Sequence, residues 1–216
     1  MTLFAFSTVY ASENGADIND IKYIKSADVE FIYLDGVRSF VPDIQAAQHS
    51  LLYNNDGIES EEGINAYLSF DLEFGSGPVA LYLTPLFTVE GGEGAGTLHK
   101  GFLRLSSFGL DLDLGKRSLW WGQGAHGSLF LTNNAEPLVM ARLTNLDEVT
   151  LPWLFKYLGP FRFDSFLSRL EDNRDIPNPY LAGLRVIIKP HRVLEIGLTR
   201  TVMMGGDGRP SLTLER

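Results

Sequence analysis

The densest set of chemically capable side chains lies between Lys116 and Pro137, in the run KRSLWWGQGAHGSLFLTNNAEP. Two tryptophans, a histidine, three amide side chains and a carboxylate stand there among glycines. Flat indole faces stack on the C–H surfaces of sugars, and Asn, Gln and Glu hydrogen-bond their hydroxyls. That chemistry makes Trp120, Trp121, Gln123, His126, Asn133, Asn134 and Glu136 the candidate polysaccharide-binding residues. A competing reading assigns Trp120 and Trp121 to an interfacial aromatic girdle, and the Asn and Gly positions to loop backbone.

Other motifs carry less. Gly122-Gln123-Gly124-Ala125-His126-Gly127 fits G-x-G-x-x-G, but residues 128–134 read as extended chain and a turn rather than the helix a dinucleotide site needs. Its glycines suit a long loop folding tightly on itself. Asp111-Leu112-Asp113 resembles half a calcium loop without the later oxygen ligands, and strand alternation accounts for it. His49, His99, His126 and His191 are scattered at spacings unlike a metal site. No G-x-S-x-G elbow marks a serine hydrolase. A glycosidase would need two of the 27 acids to converge, and nothing singles out a pair. The residues therefore assign no catalytic group, metal ligand or cofactor.

The elements that must position the 116–137 segment are strands. From Ile64 to Phe74 the even positions are apolar (Ile64, Ala66, Leu68, Phe70, Leu72, Phe74), whereas the odd ones are mostly polar (Asn65, Tyr67, Ser69, Asp71, Glu73). Successive strand residues point to opposite faces, so one face is apolar. Eleven residues span roughly 30–37 Å untilted, or a bilayer core when tilted. The pattern repeats at 79–89, 108–114, 182–188 and 194–198, with weaker candidates at 28–34, 46–54, 98–106, 139–145 and 160–170. Roughly nine or ten strands are predicted. From residue 64 onward their connections mostly alternate short and long, with 90–97 as a longer one and 146–159 breaking the rule in length. Pro152–Leu158 within that last connection reads as a short interfacial turn of helix.

Alternation of this kind suits an up-and-down membrane barrel, but also a soluble sandwich or lipocalin-type barrel with its apolar face inward. Charges on consecutive inward positions, as at Asp111 and Asp113, favour a wet lumen. No apolar stretch is long enough for a membrane-spanning helix, which leaves strands untested. Residues 1–66 hold eleven Asp/Glu against three Lys/Arg, while the other 150 hold sixteen against fifteen. With no basic block, nucleic acid is not an expected partner. Absence of cysteine removes disulfides and thiolate chemistry. Residues 1–27 read as an N-terminal segment, a remnant of a signal or of a periplasmic region, and 28–216 as a partial barrel domain.

Four stretches resemble the Wzi family of capsule-assembly outer-membrane proteins: YNNDGI at 53–58, the 116–137 run, FKYLGPFRFDSFLSRLEDNR at 155–174 and PNPYLAGLRV at 177–186. The resemblance runs from about residue 50 to the end. It implies an antiparallel, up-and-down transmembrane β-barrel in the outer membrane of a Gram-negative bacterium. It also implies a non-enzymatic, lectin-like protein that anchors capsular or other surface polysaccharide, with outer-membrane lipid around it. Family members carry a helical segment before the barrel and further strands after it, so an incomplete, open part of a porin-sized barrel is expected. The alternative is a soluble all-β ligand-binding module.

Overall fold

A computed structural model of the 216-residue chain describes residues 26–34, 54–58, 60, 63–122, 124, 127–128, 130–145, 147–150 and 152–209. Among the described residues ten strands form: β1 Ser26–Leu34, β2 Gly63–Ser76, β3 Val79–Glu90, β4 Glu93–Ser107, β5 Leu110–Arg117, β6 Leu138–Asn145, β7 Val149–Thr150, β8 Pro160–Arg169, β9 Tyr180–His191 and β10 Leu194–Met204. They join one sheet in the order β1-β2-β3-β4-β5-β6-β8-β9-β10, with the two-residue β7 pairing β8 beside that path. Sequential neighbours are what an up-and-down meander produces. Among the described strands the order has two ends, β1 and β10.

Two boundaries differ from expectation. The connection predicted at 90–97 is only the Gly91-Gly92 turn, and β4 already begins at Glu93. Glu93-Gly94-Ala95-Gly96 has no apolar alternation, yet ladder hydrogen bonds do not depend on side chains. Phe108 belongs to a turn rather than a strand: Phe108 and Gly109 have φ of 51° and 74°, as a tight hairpin requires. The candidate strand at 46–54 lies outside the described residues apart from Asn54, which is in a turn.

The chain divides into two compact units, Met1–Phe102 with Lys116–Pro137, and Leu103–Gly115 with Leu138–Arg216. In the first, register pairs Asn65 with Glu90, Tyr67 with Thr88, Ser69 with Leu86 and Glu73 with Tyr82, so these share one face. Asn65 and Tyr67 are buried there, and Ile32, Tyr67 and Leu86 form a small inner cluster with Ile58 against it. Tyr82 stacks on Phe102 with ring centroids 4.7 Å apart, and the Arg117 guanidinium covers Phe102 at 4.6 Å. Tyr82 also donates its hydroxyl to Glu73 at 3.1 Å. The opposite face carries Phe31, Tyr33, Ile64, Val79, Leu81, Phe87 and Val89, all exposed.

The second unit is inverted in the same way. Asp113 is fully buried, with Asp111, Arg142, Thr144, Asn145 and Ser168 buried beside it, while Leu105, Leu143, Leu167, Leu184 and Leu198 are exposed. Burying charge costs several kcal/mol unless it is paired, so the inner wall is built as a network. Arg104 reaches Asp113 through Nε at 2.7 Å and Nη2 at 3.1 Å. Thr144 donates to the Phe163 carbonyl at 2.7 Å, Ser168 to that of Val139 at 2.8 Å, and Asn145 accepts from the Phe163 amide at 2.8 Å. Arg200, between Leu198 and Val202 on β10, departs from the apolar outer pattern.

Candidate functional site

In the first unit two short segments, about 80 positions apart in sequence, are tied together. The Asp56 amide donates to the Asn133 carbonyl at 2.7 Å, the Asn54 amide to the Asn134 side-chain oxygen at 2.6 Å, and Asn133 Nδ2 to the Asn54 carbonyl at 2.9 Å. Asn54, Asp56 and Gly57 have φ of 65°, 58° and 75°. Asn and Asp tolerate that left-handed conformation better than other side chains. At Gly57 the glycine is required, since a Cβ would stand 2.4 Å from the Glu136 amide nitrogen. Lys100 pairs with Asp56, and Lys116 with Glu136 at 3.6 Å, so both segments are also fastened to the strands below.

Beneath this clasp lies an open cleft of about 540 Å³. Leu86 and Ile58 form its apolar floor, with Thr88, Glu90, Thr97 and His99 along the strands and Asn134 and Glu136 at the rim. A step in β4 brings His99 to this wall. Leu98 is exposed, and a Cβ on Gly101 would meet the Leu98 and Leu83 side chains. Residues 98 and 101 therefore share the outer face, which regular alternation forbids, and both His99 and Lys100 turn inward. His99 Nε2 is buried and finds no hydrogen-bond partner among the described residues. Threonine hydroxyls, carboxylates, an amide and an imidazole over an apolar floor form a surface suited to a hydroxyl-rich ligand.

The candidate residues from the sequence separate into groups. Asn134 and Glu136 line the cleft, and Asn133 fastens the clasp. Trp120 is half-buried, its Nε1 donating to the Gly124 carbonyl at 3.2 Å. Trp121 is 3% exposed, with its amide on the Leu131 carbonyl at 3.0 Å and its own carbonyl accepting from Ser128. Its indole is thus closed off from solvent. Gln123 and His126 lie outside the described residues. The glycines fold that connection back on itself: a Cβ on Gly122 would meet Ser128 at 2.7 Å. Thr88, Glu90 and Thr97 carry no signal in the sequence, because single polar residues on a strand face resemble any solvated position. Among the described residues no group of three metal-ligating side chains forms.

An antiparallel meander with apolar residues outside and a hydrogen-bonded, charged inner wall is the fold class of transmembrane β-barrels. Within that class, the chain belongs to the Wzi family: the profile described as capsule assembly protein Wzi matches residues 37–216. A solved structure of Wzi, an outer membrane protein involved in group 1 capsule assembly in Escherichia coli and a carbohydrate-binding β-barrel, is similar with a TM-score of 0.61. It is 20% identical, and the likeness covers 86% of this chain and 39% of that one. At this identity the likeness shows the fold. An uncharacterized 55.8 kDa protein in the cps region of Klebsiella pneumoniae is 27% identical over 100 residues, 46% of this chain and 20% of the relative. The chain thus spans well under half the length of the relatives it matches.

Proposed function

We propose that this chain forms part of the wall of an outer-membrane β-barrel in a Gram-negative bacterium, and that it holds capsular or other surface polysaccharide at the cleft under the 54–58 and 132–136 clasp. It acts by binding, without turnover. The observation carrying this reading is the clasp itself, which joins two of the family-like segments over a hydroxyl-matching wall. The cleft opens at the end of the first unit that bears the long 118–137 connection, opposite the tight Gly77-Pro78 turn. Outer-membrane barrels place long connections outside the cell and short turns in the periplasm, so the cleft faces the capsule. Thr88, Glu90, Thr97, Asn134 and Glu136 contact the glycan, Trp120 adds an aromatic edge, and Asn133 and Trp121 position the segment; Gln123 and His126 stay candidates on their side-chain chemistry alone.

Cell fractionation followed by polysaccharide capture tests the reading. The expressed chain should partition with outer-membrane lipid, migrate differently before and after boiling, and retain surface polysaccharide from its own host. Recovery from the soluble fraction in folded form would instead favour a soluble β module.

A further inference from the structure

His99 lines the cleft, and its Nε2 is buried with no hydrogen-bond partner among the described residues. An unpaired buried nitrogen is costly, so the site is incomplete as it stands. The clasp above repeats the pattern. Asp56 Oδ2 holds Lys100 and Asn133 Nδ2 donates to the Asn54 carbonyl, yet Asp56 Oδ1 and Asn133 Oδ1 are buried without a donor. A hydroxyl donates to either oxygen, and it satisfies an imidazole nitrogen in both tautomers because it donates and accepts. A carboxylate only accepts. It meets neither oxygen, and it serves Nε2 only when that nitrogen carries a proton.

Charge points the same way. Glu90 and Glu136 line the cleft, and among its described lining residues there is no Lys or Arg. The charged neighbours of His99 are Lys100, Asp56, Lys116 and Glu136. They form two pairs, Lys100 with Asp56 and Lys116 with Glu136, so neither cation is left over for a ligand anion. An anionic sugar entering here would exchange water for like charge.

We infer that the cleft takes an uncharged sugar unit of the polysaccharide, a neutral hexose rather than a uronic acid, and that His99 Nε2 is the buried partner of one of its hydroxyls. The inference rests on the polysaccharide-binding reading of this cleft. His99 is then a specificity-determining residue, since a site built to hydrogen-bond a hydroxyl rejects a unit that lacks one there.

Calorimetric titration of the detergent-folded full chain tests the assignment with two probes. One is the host's surface polysaccharide; the other is the same material after its carboxyl groups are reduced to alcohols. The wild type should bind both alike, with an affinity that does not change between about 0.05 and 0.5 M salt. His99→Phe keeps a ring but removes the nitrogens, and should weaken both titrations by about tenfold. His99→Gln still offers an amide and should lose less. The mobility shift on boiling reports whether each variant has folded, and the probe comparison needs only the wild type. Loss of binding on carboxyl reduction, or steep weakening with salt, would overturn the neutral-sugar assignment. Wild-type affinity in folded His99→Phe would overturn the role of Nε2. A folded wild type that binds neither probe would instead defeat the polysaccharide-binding reading.

Discussion

Arg142 bridges two carboxylates, giving Nη1 to Asp113 at 3.1 Å and Nε and Nη2 to Asp164 at 2.7 Å each. With Arg104 on the other side of Asp113, the alternating charges cross β4, β5, β6 and β8 in one row. The inner wall of the second unit is thus cross-linked by charge where a soluble domain would place hydrocarbon.

Removing the bridge should be costly. Arg142→Ala leaves Asp113 and Asp164 buried or half-buried without their shared partner, a loss of about 3–5 kcal/mol. Arg142→Lys keeps the charge but loses the two-pronged contact to Asp164, so it should fall between. Urea unfolding in vesicles, followed by the mobility shift on boiling, measures both. Unchanged stability in Arg142→Ala would show that the row does not hold the strands together.

Leu143, the next residue along β6, points the other way and is exposed. At the level of Ser165 in the register it lies near the middle of β8. Leu143→Arg should destabilise the protein by about 2–4 kcal/mol in a bilayer, the cost of a cation at the lipid midplane. On a water-facing surface the same change would stay within about 0.5 kcal/mol. Unfolding of the variant beside the wild type, both embedded in vesicles, decides between them.

Gly57 tests the clasp. Alanine there meets both a positive φ, which costs about 1–3 kcal/mol in a non-glycine residue, and the Glu136 backbone at 2.4 Å. Gly57→Ala should lower barrel stability by no more than that strain, about 1–3 kcal/mol, and weaken glycan binding by about tenfold or more, each tenfold being about 1.4 kcal/mol. Full retention of affinity would separate the clasp from the binding surface.

The outer and inner faces are legible in the sequence because strand geometry is local. Period-two alternation at 64–74 needs no partner to be recognised, and the same rule turns Asp111 and Asp113 inward, where the structure buries them. Their partners are not legible: Arg142 and Asp164 lie 29 and 51 positions beyond Asp113, and register alone decides which charge meets which. The Asn54–Asn134 contact is more remote still. Within the candidate site, side-chain chemistry alone points to Asn134 and Glu136. By its type Trp121 reads as a stacking surface, though the structure buries it. His99 reads as one scattered histidine, because the step in β4 that turns it inward has no sequence signature. Gly94 and Gly96 hide the first half of β4, since a strand without side chains shows no alternation.

The most direct measurement of the central claim is calorimetric titration of the detergent-folded protein with its host's surface polysaccharide, beside Glu136→Ala combined with Thr97→Ala. Both side chains line the cleft from exposed positions, so the fold should survive their loss. Saturable binding by the wild type and a loss of about tenfold or more in the double variant is the predicted result. Equal affinity in the two proteins, or no binding by a correctly folded wild type, would contradict it.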